Sequence, residues 1–509
     1  MRQVILSHRA EMHVPDRAAE YMPPSSINWT AICLLGGLCS ALLSGIAYLQ
    51  DSGRWLFAGM LGLRISVQGL LWLAVVRHER RSFALKAAFV AMMISPLFPI
   101  VMCLVTPWGQ DYMFPFSDVI FSAPITAAWS GFVPALAILV VIMAMRLFRT
   151  SPKTYNSLSG LIQSTSPRFE IFLILCAGLT LFGWVGGLLP TSPVFYILRV
   201  MKKVVFMAPL IAGFAAHRFR MSTKFWIASF ALGLVAATLT GGRGAVFTPL
   251  LYFLAGYFFS MASLSQVIRR LFIFMPLLVL LAMLAVWIGN VRDVVGRVDI
   301  FQAISGESMI TANQDDLVQL ESEAKRGPGF AYQVCRRMIS WPSYVVPAAT
   351  PNLVPYRGFD DFHYEIKGAL DLGIFALAGR NTGFYFSNIF LKPYGFAVHV
   401  DSSGMKTSNV EFGVFVSGVT RGGWMVGFSF LCIIYCLVYL LEVVLKAKLL
   451  PKYQPLCLVM IICTTGFAMQ TVGNDTFIES IREMVLFTTF TFLAYGFIDR
   501  GMHALGIRR

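Results

Sequence analysis

Charged residues are scarce in this sequence, and long hydrophobic runs stand where a soluble protein would carry polar surface. Only 13% of the 509 residues are charged, whereas 57% are hydrophobic. A soluble multidomain protein needs more polar surface than this composition supplies, so that class is excluded. The composition predicts an all-α membrane protein that crosses the bilayer many times.

Paired cysteines are also absent. The nine cysteines form no Cys-x-x-Cys pair, and Cys335 alone lies outside the apolar runs. A disulfide framework and a thiolate metal site are therefore not predicted. We expect the cysteines to pack as small apolar side chains.

The long hydrophilic segment lacks an excess of basic residues. Residues 290–411 contain 11 Lys and Arg against 13 Asp and Glu, a balance of −2, although the whole chain carries +15. The basic surplus therefore lies in short loops and at the two termini, as the positive-inside rule requires. This charge predicts an orientation in a membrane and does not predict nucleic-acid binding.

Twelve apolar runs are long enough to cross a hydrocarbon core of about 30 Å. They lie at residues 28–49, 55–76, 83–105, 130–148, 170–189, 196–216, 224–240, 244–261, 268–289, 419–445, 453–470 and 481–499. With residues 1–27 in the cytoplasm and the first run acting as an uncleaved signal anchor, the basic loops fall inside. The tail, residues 500–509, is then also cytoplasmic.

This topology divides the chain into two membrane blocks and one large outer loop. Nine helices occupy residues 28–289, three occupy residues 412–499, and residues 290–411 form the extracytoplasmic loop. In that loop, two apolar stretches interrupted by charge, residues 329–346 and 366–391, predict short interfacial helices. Inside the second span, Arg64 and Gln68 share a helical face, which predicts a buried polar contact between them.

A glycine-flanked arginine stands at the outer end of a predicted helix pair, in Thr240-Gly241-Gly242-Arg243-Gly244. Glycines let the backbone turn tightly and let a bulky ligand approach, and the guanidinium fork of Arg243 matches a phosphate. The alternative is a plain tight turn whose arginine reaches the lipid headgroups. The positive-inside pattern puts this element on the outer face, beside the long loop.

Three further cations break the positive-inside pattern. Arg199, Lys202 and Lys203 lie in the outer half of their span, at spacings that put them on one helical face. Cations in such positions favour a functional role, here an anion-binding stripe. A helix that begins later, with these residues among the headgroups, is the simpler alternative.

A second glycine-flanked arginine, Arg421, follows the long loop in Ser417-Gly418-Val419-Thr420-Arg421-Gly422-Gly423-Trp424. Arg421 and Arg243 together would suit the two phosphates of a pyrophosphate, because arginine binds phosphate in a bidentate manner. The alternative is a loop before a helix, anchored at the membrane interface by Trp424.

The long loop contains one dense cluster of aromatic and ionisable residues. Aromatic faces and carboxylates are typical of sugar-binding clefts, so the glycan-binding candidates are Tyr356, Arg357, Asp360, Asp361 and Tyr364. His363 or Glu365 could deprotonate an acceptor hydroxyl. The alternative is an ordinary solvated loop, and its carboxylates are too isolated to predict a metal site.

These features resemble those of the Wzy-type polysaccharide repeat-unit polymerases and the related O-antigen ligases of bacterial envelopes. The resemblance rests on the many-helix topology and on the element at residues 240–244 between two central helices. It also rests on the large late outer loop, followed by the glycine-rich helix start at residues 418–427. The motif-level part of the resemblance is confined to about a dozen residues.

The resemblance implies a GT-C-like membrane glycosyltransferase of the bacterial inner membrane, with no metal and no cofactor. Its substrates would be oligosaccharides linked through pyrophosphate to undecaprenol, and its surroundings the membrane lipids, a chain-length regulator and a flippase. Arg243 would hold the leaving pyrophosphate, assisted by Arg421 and the cations at residues 199–203. His363 or Glu365 would then act as the base.

Two other classes remain open beside a polymerase. An O-antigen ligase would join the finished glycan to lipid A-core. A flippase of the lipid-linked oligosaccharide would also use many helices, but transporters often show two similar halves and charged or broken helices at mid-membrane. No repeated halves are visible in this sequence, and a scaffold without activity would have no use for glycine-flanked arginines.

Overall fold

The computed structural model describes residues 28–79, 82–106, 116–147, 341–353, 413–448 and 477–504, with short stretches such as 272–276, 358–360 and 362–363 and single residues between these segments. Helices dominate the described residues, and no strand occurs among them. In chain order they are α1 (Trp29–Leu49), α2 (Gly53–Ala74), α3 (Phe83–Ile94), α4 (Leu97–Val105), α5 (Ser117–Ser122), α6 (Pro124–Ser130), α7 (Val133–Leu147), α8 (Pro342–Ala349), α9 (Val414–Gly422), α10 (Trp424–Lys448) and α11 (Phe477–Ala504). A 3₁₀ turn, Val76–His78, extends α2.

Four helical segments are long and apolar enough to cross a membrane: Trp29–Leu49, Gly53–His78, Phe83–Val105 and Trp424–Ala447. A fifth is added if the bent pair α6 and α7 forms one span. These segments match five of the predicted spans, and α11 covers a sixth, so the all-α membrane class is confirmed for the described residues. The spans predicted between residues 170 and 289 and at 453–470 lie largely outside the described residues, and the total of twelve stays a prediction.

Small residues let α1 and α2 pack closely. A Cβ atom added at Gly62 would collide with the Ser40 hydroxyl, and one added at Gly69 would lie 2.7 Å from the Cys33 sulfur. Membrane helices that approach this closely gain van der Waals contact and gain little from the hydrophobic effect. The opposite face of α1 carries exposed leucines and isoleucines, as a lipid-facing surface requires.

Neighbouring helices are separated by a break at three places. Pro96 separates α3 from α4, because proline has no N–H to donate to the Met92 carbonyl four residues earlier. Gly131 and Phe132 separate α6 from α7, which are bent by 41°. Gly423, with φ of 88°, separates α9 from α10. Sequence hydropathy predicted continuous helices across Pro96 and Gly423, and it placed residues 124–129 of α6 in an outer loop.

Helices α9 and α10 fold into a tight hairpin around Gly423. A Cβ atom at Gly418 would collide with the backbone of Gly427, and a Cβ atom at Gly427 would lie 2.6 Å from the Phe415 carbonyl oxygen. Residues Val414 to Arg421 are all buried. The glycine-rich segment is therefore a short buried helix packed back onto the next one, and a helix starting at residue 419 was wrong.

Helix α8, from the segment predicted as the outer loop, packs inside the bundle. Its Tyr344 ring meets the Phe57 ring of α2 edge-on, with centroids 5.8 Å apart. The Ser130 hydroxyl of α6 donates to the Ser343 carbonyl at 2.6 Å. An interfacial helix at residues 329–346 was expected, whereas α8 begins at Pro342 and lies buried between α6 and α9.

One end of the bundle is held by a buried carboxylate. Glu442 of α10 accepts hydrogen bonds from the Ser82 hydroxyl at 2.7 Å and from the backbone N–H groups of Phe83 and Ala84 at 2.7 and 3.1 Å. The carboxylate thus caps the start of α3, where the helix dipole favours negative charge. Lys446 lies 2.7 Å from the same carboxylate.

A second ion pair joins the same end. Glu79 lies 3.4 Å from Arg146 at the end of α7, and Arg146 also donates to the Val75 carbonyl. The ends of α2, α7 and α10 and the start of α3 therefore meet. The basic loops that follow them were predicted to share one face of the membrane, and the helix ends that carry these loops do lie together.

Candidate functional site

Arg421 of α9 is held by a turn of the predicted outer loop. Its side chain is 1% exposed, and its Nη1 donates to the Gly358 carbonyl at 3.0 Å. The Gly358 N–H donates in return to the Arg421 carbonyl at 3.0 Å. Gly358 has φ of 72°, a conformation that glycine adopts without strain. Arg421 and Gly358 are thus joined by two hydrogen bonds, one donated by each residue.

Two phenylalanines of the same turn cover the guanidinium. The Arg421 guanidinium carbon lies 4.8 Å from the Phe362 ring centroid and 5.7 Å from that of Phe359. Behind them, Phe362 stacks on Phe430 of α10, and Phe430 stacks on Phe477 of α11 at 4.2 Å. Aromatic faces over a partly desolvated cation are attractive, so these rings and the charge hold the turn in place.

Tyr356 completes this contact at the helix break. A Cβ atom at Gly423 would lie 2.9 Å from the Tyr356 hydroxyl and 3.2 Å from its ring. Glycine at this position therefore leaves room for the Tyr356 side chain. Tyr356 remains exposed on its other side. The break between α9 and α10 is therefore covered by the turn at residues 356–363.

The ionisable candidates of this turn face outward. Asp360 and His363 are both exposed, and the His363 Nδ1 lies 3.0 Å from the Asp360 carbonyl oxygen, a contact that orients the imidazole ring. We call the assembly of Tyr356, Gly358, Phe359, Asp360, Phe362, His363 and Arg421 the outer turn site. It joins two features that lie far apart in the sequence, the loop cluster and the second glycine-flanked arginine.

The remaining predicted site residues lie outside the described residues. They are Arg199, Lys202, Lys203, Arg243, Arg357, Asp361, Tyr364 and Glu365. Their assignments stay predictions, and the proximity of Arg243 to Arg421 is among them.

The outer turn site places exposed aromatic and ionisable side chains beside a buried arginine. Exposed aromatic and carboxylate side chains can stack on and hydrogen-bond a sugar. An exposed histidine can accept a proton. In this structure Arg421 itself is covered by the turn and donates to a protein carbonyl, which the sequence did not predict.

Sequence reasoning missed Phe430 and Phe477 as partners of the site. Both lie in runs of apolar residues, where a phenylalanine that supports a loop looks like any lipid-facing one. Gly358 carried a usable signal, because Arg-Gly-Phe-Asp is typical of a turn.

Cys335, the cysteine of the predicted outer loop, is buried. Burial raises the pKa of its thiol. A thiol that stays protonated is a poor nucleophile, so Cys335 is a packing residue, as the sequence predicted.

A second polar centre lies inside the bundle, around Arg64 of α2. Arg64 is 1% exposed and donates to the Ala128 and Met92 carbonyls, each at 3.3 Å. The Tyr344 side chain of α8 lies beside it. The predicted contact between Arg64 and Gln68 was wrong, since neither amide atom of Gln68 has a hydrogen-bond partner. The prediction that both residues are buried is confirmed.

Comparisons with known proteins add no relative. No protein-family model, curated protein or solved structure matches the chain.

Proposed function

We propose that this protein polymerises oligosaccharide repeat units that are linked through pyrophosphate to a polyprenol, at the outer face of the bacterial inner membrane. The observation that carries the proposal is the outer turn site. A loop rich in aromatic and ionisable residues lies directly over a glycine-flanked arginine at the break between the buried helix α9 and helix α10. That combination supports recognition of a sugar beside an anionic leaving group.

The proposed reaction is a glycosyl transfer without a metal. A hydroxyl of the incoming repeat unit attacks the anomeric carbon of the growing chain, and a new glycosidic C–O bond forms. The bond from that carbon to the pyrophosphate oxygen breaks, and polyprenyl pyrophosphate leaves. His363 or Glu365 takes the hydroxyl proton. Arg243 stabilises the charge that develops on the leaving group, with Arg199, Lys202 and Lys203 as further cations, and Arg421 holds the turn that carries His363.

The test is the length of the glycan made by cells that carry single substitutions. Arg243→Ala is expected to lower polymer output by about 100- to 1000-fold, because one donor to a developing anion contributes about that much. His363→Ala is expected to lower it by about 100-fold or more if the imidazole is the base. Polymer is measured on gels of surface glycan, and membrane abundance is measured by blotting.

Leu353→Ala is the matched control for this test. Leu353 lies in the same loop and is exposed, so its truncation should leave polymer length unchanged. Normal polymer from Arg243→Ala at normal abundance would remove Arg243 from the mechanism. Full-length polymer that stays unattached to lipid A-core in a deletion strain would instead indicate a ligase.

A second candidate function is translocation of the lipid-linked oligosaccharide. The helix breaks at Pro96 and Gly131 and a buried arginine midway along α2 favour it, because carriers place broken helices and charges near mid-membrane. Loss of a translocator leaves repeat units on the cytoplasmic side of the membrane. Loss of a polymerase leaves single repeat units at the outer face or on core.

A further inference from the structure

Arg64 is a buried cation without an acidic partner in the described part of the chain. It lies eleven residues into α2, about 16 Å along the helix from Gly53, which is mid-span. Its hydrogen bonds go to two backbone carbonyls, and no Asp or Glu of the described segments pairs with it. An arginine cannot shed its charge, so this position keeps one positive charge inside the bundle.

The polar atoms that remain around Arg64 are mostly donors. Its Nε–H has no hydrogen-bond partner among the described residues, and the same holds for both amide atoms of Gln68, which is 0% exposed. Gln68 lies one helical turn after Arg64 on the same face. Together these atoms offer three N–H donors, one acceptor and one positive charge.

The surrounding backbone is arranged around the guanidinium. A Cβ atom at Gly131 would collide with Arg64, so the glycine between α6 and α7 leaves the space that the guanidinium fills. Met92 precedes Pro96 by four residues, and the Phe132 N–H donates to the Trp129 carbonyl rather than to Ala128. Both carbonyls that contact Arg64 are therefore released by helix breaks, and they occupy its two Nη atoms.

We infer that Arg64 and Gln68 form an intramembrane binding site for a small monovalent anion of the halide class. The anion lies against the Arg64 Nε–H and the Gln68 amide, on the edge of the guanidinium that the carbonyls leave open. A lipid headgroup is excluded because the site is mid-span, and a metal cation is excluded by the charge of Arg64. The site is closed in this structure, since Arg64 and Gln68 are 1% and 0% exposed.

This inference does not depend on the proposed glycosyl transfer. It uses none of the residues of the outer turn site, and its test needs no glycan substrate. Either proposal can therefore fail while the other stands.

The test is the thermal unfolding of the full-length protein, purified in detergent, in sodium chloride against sodium gluconate at equal ionic strength. A ligand that binds only the folded state raises its stability by mass action. We expect chloride to raise the unfolding midpoint by about 2–4 °C. In Arg64→Gln and in Gln68→Leu this rise should disappear, whereas Arg146→Gln, which removes a half-exposed arginine, should keep it.

Gln68→Leu also separates this proposal from a purely structural one. If Gln68 is merely a buried amide without partners, leucine relieves its desolvation and raises the midpoint equally in both salts. That result, or a wild-type midpoint that is the same in chloride and gluconate, would overturn the anion site. Loss of the chloride response in a folded Gln68→Leu protein would support it even if Arg64→Gln fails to fold.

Discussion

Arg421 shows how one buried charge can organise a loop. The guanidinium gives a charge-assisted hydrogen bond to the Gly358 carbonyl and lies against the rings of Phe359 and Phe362. A hydrogen bond to a charged group contributes about 1.5–3 kcal/mol, and a cation–π contact about 0.5–2 kcal/mol. Both contributions are lost together if the turn separates from α9, so the turn should detach from α9 in one step.

Arg421→Gln is therefore expected to release the turn. Glutamine keeps a donor but loses the charge and the flat cation that the two rings cover. We expect amide hydrogen exchange in the peptide around Gly358, whose N–H donates to the Arg421 carbonyl, to become about 10-fold faster or more, as a loss of about 1.4 kcal/mol of local stability requires. The measurement is exchange followed by mass spectrometry on the purified protein.

Arg146→Gln serves as the control for that experiment. Arg146 is 38% exposed and pairs with the buried Glu79, at the end of the bundle that Glu442 holds and not at the turn. Its loss should leave exchange around Gly358 unchanged. Equal protection of that peptide in wild type and Arg421→Gln would show that the aromatic contacts alone hold the turn.

At the scale of the helices, the close packing of α9 on α10 depends on glycine. Gly427→Ala would bring a methyl group to 2.6 Å from the Phe415 carbonyl oxygen and 2.7 Å from its ring, and neither can move without shifting α9. We expect a destabilisation of about 1–3 kcal/mol, typical of overpacking. Thermal unfolding in detergent measures it, together with the membrane abundance of the variant.

Gly496→Ala is a matched control within the same chain. Gly496 lies inside α11, and a Cβ atom there meets nothing within 4 Å. Alanine is the better helix former by about 1 kcal/mol, so this variant should be as stable as wild type or more so. A Gly427→Ala protein that matched Gly496→Ala would show that α9 does not pack on α10 in the membrane.

The sequence predicted the helical class and the position of several spans, but not their interruptions. Hydropathy identified residues 28–49 and 55–76, and the helices there begin within two residues of the predicted bounds. The predicted spans continued across Pro96 and Gly423, because the mean hydropathy of a window of apolar residues is the same whether or not a helix break divides it. These residues did carry the information, since proline removes a donor and glycine admits a positive φ.

The candidate site was predicted in its parts and not in its assembly. Arg421 and the cluster at residues 356–365 were both identified from residue type. Their contact joins positions about sixty residues apart and depends on Phe430 and Phe477, which belong to apolar runs. Such contacts depend on tertiary packing, which the residue pattern of a single sequence does not predict.

At the scale of the whole molecule, helix α10 extends from one end of the bundle to the other. Trp424 follows Gly423, which Tyr356 covers, whereas Glu442 caps α3 at the other end. Eighteen residues of helix separate Trp424 from Glu442, a rise of about 27 Å. The outer turn site and the Glu442 cluster therefore lie near opposite surfaces of a membrane whose core is about 30 Å thick.

The positive-inside rule then predicts which surface is which, and two exposed positions test it. In a protein freed of its native cysteines, Leu353→Cys should react with a membrane-impermeant maleimide in cells whose outer membrane alone is permeable. His78→Cys, at the end that carries the basic loops, should react only after the inner membrane is opened. Both should react equally once unfolded. The opposite labelling pattern would indicate the inverted orientation in the membrane. Labelling of both cysteines from one side would contradict α10 as a membrane-spanning helix.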